Sequence, residues 1–132
     1  MGWDAFATKG GKDLERDWHL GENDAKRPEI LDKGLARAFR KAAKMATEKA
    51  GLHDWLLPIG GLDCSGAAEM LERVGIDAWG NNLSAAEVGA INEAADWGFL
   101  FHVNEGELGY YWSARMFLET CAKNNLGIRF SW

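Results

Sequence analysis

Tryptophan recurs from one end of the chain to the other, as Trp3, Trp18, Trp55, Trp79, Trp97, Trp112 and Trp132, and no other feature constrains the fold as strongly. Each ring removes roughly 150–250 Å² from water and carries an indole N–H that needs an acceptor once buried. Seven rings in 132 residues either fill one shared core or leave some as a contact surface, where tryptophan is enriched among residues that dominate binding. No catalytic or metal motif surrounds any of them, so the pattern speaks for binding before catalysis.

A chain of 132 residues is expected to form a single domain, residues 1–132, and to bury about two thirds of the surface its unfolded form exposes. Cys64 and Cys121 stand 57 positions apart and outside any CxxC pair, which predicts two free thiols in a reducing compartment. No charged-then-apolar leader opens the sequence, and no apolar run approaches the roughly 18–20 residues that span a bilayer. These features predict a cytoplasmic protein with no membrane partner.

Formal net charge is −5, but its distribution is uneven. Between Lys26 and Lys49 lie eight basic and three acidic residues, giving +5, while the remainder carries seven basic and seventeen acidic residues, giving −10. A field divided in this way can pair within the molecule, between copies, or with an outside partner.

Trp3 to Thr8 followed by Gly10-Gly11 reads as a strand and a turn. Lys12 to Arg27 is polar and reads as irregular, anchored by Trp18 and Leu20. Pro28 suits a first helical turn, and Leu31, Leu35, Phe39, Ala42, Met45 or Ala46, and Ala50 then recur at helical steps until Gly51. Residues 51–65 form a turn-rich connector. Ser65 is placed to cap a short helix from Gly66 to Val74, stopped by Gly75. Ser84 and Glu87 match a capping box, opening a helix from Ala85 to Trp97. The Phe99–Val103 stretch is either a buried strand or an overrun of that helix. Asn104 and Glu107 offer another cap before an apolar helix from Leu108 to Ala122, ended by Asn124, Asn125 and Gly127, and residues 128–132 alternate as a terminal strand. Its expected neighbour is the opening strand or the 99–103 stretch. The predicted class is α+β: mainly helical, with three or four helices on a small antiparallel sheet that includes the C-terminal strand.

Arg37, Arg40, Lys41 and Lys44 share one helical face that is not the apolar one. Such a stripe can neutralise phosphates, giving a nucleic-acid reading, or it can be a solvated outer face. Cys64 precedes a predicted helix N-terminus, where a thiolate is favoured; His53 or His102 as base and Asp54 or Asp63 as orienting carboxylate would complete a small cysteine-dependent hydrolase. A buried inert thiol is the competing reading. His19, His53 and His102 stand in none of the spacings that place two ligands on one metal, and neither a P-loop nor GxGxxG occurs, so no metal or cofactor is expected.

Tyr110, Tyr111 and Trp112 begin the last helix and point around most of its circumference, so they cannot all face one core. With Trp132 ending the chain, Trp97 closing the preceding helix, and Glu105, Glu107 and Glu119 as an acidic rim, they make a candidate aromatic patch suited to a basic protein partner. The alternative is that the rings wedge the helix against the sheet.

Met1-Gly2-Trp3-Asp4-Ala5-Phe6 at the start and Phe117-Leu118-Glu119-Thr120-Cys121-Ala122-Lys123-Asn124-Asn125-Leu126-Gly127-Ile128-Arg129-Phe130-Ser131-Trp132 at the end resemble small phage and prophage proteins. The resemblance covers the two ends only and implies a genomic setting, without assigning a role to any residue. In that setting small acidic proteins act as stoichiometric inhibitors of host machinery, including CRISPR and other defence systems. The leading expectation is therefore a non-enzymatic inhibitor or adaptor that binds a host protein or complex in the bacterial cytoplasm.

Overall fold

A computed structural model describes residues 2–16, 29–30, 33–50 and 60–132. Strand β1 (Asp4–Lys9) turns back into β2 (Lys12–Asp13) through Gly10 and Gly11, whose φ angles are 60° and 80°. A two-residue hairpin with both central φ values positive matches strand twist, and glycine adopts it without a Cβ penalty. Strand β6 (Gly127–Ser131) runs along the other edge of β1, with Ala5 opposite Phe130 and Ala7 opposite Ile128. Strand β5 (Gly61–Asp63) extends the β2 edge, with Ala5 opposite Leu62. All these pairings are antiparallel, and β1 lies at the centre. Two further short strands, β3 (Glu15–Arg16) and β4 (Glu29–Ile30), pair separately. Both β2 and β3 fall in the stretch expected to be irregular.

The helices are α1 (Lys33–Ala50), α2 (Ser65–Arg73), α3 (Ala85–Ala94) and α4 (Leu108–Lys123). The mainly helical α+β reading therefore holds, C-terminal strand included, and that strand pairs with the opening one. Pro28, Trp18, Trp55, His19, His53, Asp54 and Gly51 lie outside the described residues. Helix α4 buries a broad face that includes Tyr111, Ala114, Phe117, Leu118 and Cys121, and it contacts α1, α2 and α3, which makes it the hub of the helical layer. Trp3, Ala5, Ala7, Leu62, Ile128 and Phe130 bring one face of the sheet into the same core as Phe39, Met70, Val88 and Phe117.

The termini of these elements follow their local chemistry. Helix α2 ends with Gly75 at φ 96° while the N–H groups of Gly75 and Ile76 donate to the carbonyls of Glu72 and Leu71. Helix α4 ends identically, with Asn125 at φ 56° and Asn125 and Leu126 donating to Ala122 and Cys121. Both are Schellman closures. Gly127, expected with Asn124 and Asn125 to end α4, has a different role: a Cβ there would lie 2.5 Å from the Leu83 carbonyl oxygen, which pairs with Ile128. Ser84 accepts from the Glu87 N–H and the Glu87 carboxylate accepts from the Ser84 N–H, as the capping box predicts.

Four boundaries differ from expectation. Helix α1 begins at Lys33 and not at Pro28, because Glu29 and Ile30, expected in its first turns, pair with β3 as β4. Cys64, not Ser65, occupies the cap position of α2, with φ 88° and no side-chain cap. Helix α3 stops at Ala94, three residues early. The 99–103 stretch is neither strand nor continued helix but part of a 3-10 turn over Gly98–His102, and Phe101 in it is 89% exposed. Asp96 accepts the Gly98 N–H and so stabilises the break. Asn104 and Glu107 frame a further 3-10 turn, Glu105–Glu107, ahead of α4.

Candidate binding surfaces

Trp3 enters the core directly before β1 and is fully buried. Its indole Nε1 donates to the Ala78 carbonyl at 2.6 Å, which pins the Asp77–Gly80 turn against the sheet. The turn closes on itself through Asp77, whose backbone oxygen accepts from Gly80 N and whose carboxylate accepts from Trp79 N. Trp79 is thereby held over the edge of the core with its ring centroid 6.3 Å from that of Trp3. Trp132 follows β6 and meets Trp79 edge to face at 6.0 Å, while Phe130 lies 6.0 Å from Trp3 on the inner side. The outer two rings remain accessible, Trp79 at 42% and Trp132 at 54%. Four rings thus run from core to solvent, and the outer pair forms an apolar surface on a rigid base.

The rings at the start of α4 do not form a second such surface, because successive residues on a helix diverge by about 100° and α4 has neighbours on several sides. Tyr110 packs against Gly66 in α2 and hydrogen-bonds Cys64; proximity to the Cys64 sulfur and that hydrogen bond raise its phenol pKa. Tyr111 is fully buried, donates to the Trp97 carbonyl at 2.6 Å, and packs on Trp97 and Phe99. Burial corrects the candidate contact role of Tyr111. Trp112 is half-buried between Lys49 Nζ at 5.5 Å and the Arg115 guanidinium at 5.2 Å. Glu105 is exposed and Glu107 half-buried. The proposed patch of Tyr110, Tyr111, Trp112, Glu105 and Glu107 is therefore split among three helix contacts. Trp132 belongs to the expected patch, but Trp79 lies 53 residues from it, and no local signal in the sequence pairs the two.

Arg37, Arg40, Lys41 and Lys44 are all exposed on α1, and among the described residues none makes a salt bridge. Alongside this face, α1 and α4 enclose a groove of about 240 Å³, floored by Ala38, Ala42, Met45 and Met116. A larger recess of about 480 Å³ lies between the β1–β2 hairpin and the start of α3. Several of its polar groups have partners: Ser84 and Glu87 bond each other, which lowers the Glu87 pKa, and Arg129 holds Asp13 at 2.8 and 2.9 Å.

Cys64 is half-buried beside Tyr110, and Cys121 is buried, where desolvation drives its thiol pKa far upward. His102 is exposed on the 3-10 turn. Asp63 lies across from Asp4 in the sheet and hydrogen-bonds it; burial first, then that bond and the charge of Asp63, raise the Asp4 pKa to about 6. Among the described residues no group of three His, Cys, Asp or Glu side chains could hold a metal ion, and no helix is long and apolar enough to cross a membrane. No protein-family model, curated protein or solved structure matches the chain.

Proposed function

We propose that this is a non-catalytic binding protein that engages a host protein through the Trp79–Trp132 surface. The observation that carries this reading is the pair itself: two large apolar rings, 42% and 54% exposed, on a base fixed by the buried Trp3. Exposed aromatic groups on a preorganised support lose little conformational entropy when covered, and tryptophan is the residue type most enriched among binding hot spots. The resemblance of the chain's two ends to phage and prophage proteins supports a bacterial target and a role as stoichiometric inhibitor or adaptor, with defence systems such as CRISPR as one class of target. Trp79→Ala and Trp132→Ala together should abolish retention of the target in affinity capture while leaving the melting transition in place. Retention equal to wild type would reject the surface.

A second reading, nucleic-acid binding, is favoured by the exposed row Arg37, Arg40, Lys41 and Lys44, which makes no salt bridge among the described residues. It requires affinity for a duplex or single strand that falls steeply with salt and falls further in Arg37→Ala/Arg40→Ala. A flat salt response removes it.

A further inference from the structure

We infer that the groove between α1 and α4 is a docking site for an acidic amphipathic segment of a partner protein, which places an apolar side chain on Met45 and Met116 and carboxylates beside Lys41 and Lys123. This site shares no residue with the Trp79–Trp132 surface and does not depend on it. The groove exists because α1 presents alanine where it faces α4: Ala38 and Ala42 leave space that longer side chains would fill. Met45, 39% exposed, and Met116 flank that space. Thioether side chains are flexible and polarisable, which suits them to line a surface that must adapt to an incoming side chain. A volume of about 240 Å³ accommodates one or two such side chains and is too small for an extended domain interface.

Charge selects the occupant. Lys41 and Lys123 line the groove and are exposed, and Arg37, Arg40 and Lys44 continue the positive field along α1. The carboxylate in the lining, Glu119, is held by the Arg115 guanidinium at 2.9 Å, so it offers little opposing charge. Helix α1 carries six basic residues against Glu48 in a chain whose net charge is −5, so its face is the place where an acidic ligand is attracted. A nucleic acid would use the cations but would leave the methionine floor without a function. An acidic helix with apolar residues at i and i+4 uses both.

The test is titration of the whole protein with a synthetic acidic amphipathic peptide, leucines at i, i+4 and i+7, followed by fluorescence anisotropy and by amide chemical shifts. Saturable binding is expected, with shifts centred on Lys41, Met45, Met116 and Lys123. Lys41→Glu/Lys123→Glu should weaken it at least tenfold, and Met45→Ala several-fold, with unchanged melting transitions because Lys41, Lys123 and Met45 are exposed. Three results would each overturn the proposal: no saturable binding, shifts confined to other surfaces, or tighter binding of a DNA or RNA duplex to the same residues than of the peptide. A dimer of the free protein joined through these residues would also overturn it, by assigning the groove to a second copy.

Discussion

The indole N–H of Trp3 donates to the carbonyl oxygen of Ala78 at 2.6 Å, tying residues 75 positions apart into one buried junction. This bond fixes the turn that carries Trp79, so the core and the candidate contact surface share a residue. Trp3→Phe keeps most of the apolar volume but leaves the Ala78 oxygen without its donor, at a cost of about 1–3 kcal/mol. Trp3→Ala adds a cavity and should cost about 3–5 kcal/mol. Chemical denaturation of both variants checks the order; equal losses would mean that the cavity adds nothing, and a Trp3→Phe loss near zero would mean that the hydrogen bond contributes nothing.

Gly66 and Tyr110 form a second junction. A Cβ at position 66 would lie 2.7 Å from the Tyr110 ring, which is too close for the ring to stay in place. Gly66→Ala is therefore expected to destabilise by about 1–3 kcal/mol through overpacking and to break the Tyr110–Cys64 hydrogen bond. Combining it with Tyr110→Ala removes the clash, so the two losses should be less than additive in a double-mutant cycle. Strict additivity would show that the ring does not rest on Gly66.

Asp4 and Asp63 give stability a pH dependence of known sign. The Asp4 pKa rises from 3.8 to about 6 on folding, chiefly through burial and then through Asp63, so between these values the folded state binds more protons than the unfolded one. Its contribution is complete below the unfolded pKa and is lost as pH rises through the folded value. Asp4→Asn should therefore gain in melting temperature relative to wild type as the pH is raised from about 4 to about 7, by a few degrees, since solvent screens part of the effect. Asp63→Asn relieves the smaller causes and should show a weaker gain. Parallel curves for wild type and Asp4→Asn would contradict the assignment.

Much of this architecture was legible in the residues. The Ser84–Glu87 capping box, the Gly75 stop and the alternation of residues 128–132 are local signals, and each produced the expected element. Residues 99–103, four apolar side chains and His102, are too short a run to carry a usable period; the Gly98 N–H bond to Asp96 marks the break ahead of the 3-10 segment. At α4 the helical geometry of Tyr110, Tyr111 and Trp112 was clear, but which ring stays accessible depended on α1, α2 and the 97–99 stretch, all distant in sequence. The Trp79–Trp132 contact is hidden for the same reason: Trp3 and the register of β6 on β1 bring its two members together.

The central claim, that Trp79 and Trp132 form the contact surface for a protein partner, is tested most directly by quantitative affinity capture from bacterial lysate with wild type, Trp79→Ala/Trp132→Ala and Trp112→Ala side by side. The account predicts a protein retained by wild type and by Trp112→Ala but lost with the double variant, whose melting transition stays cooperative and close to that of wild type. Identical retained proteins for wild type and the double variant would contradict it.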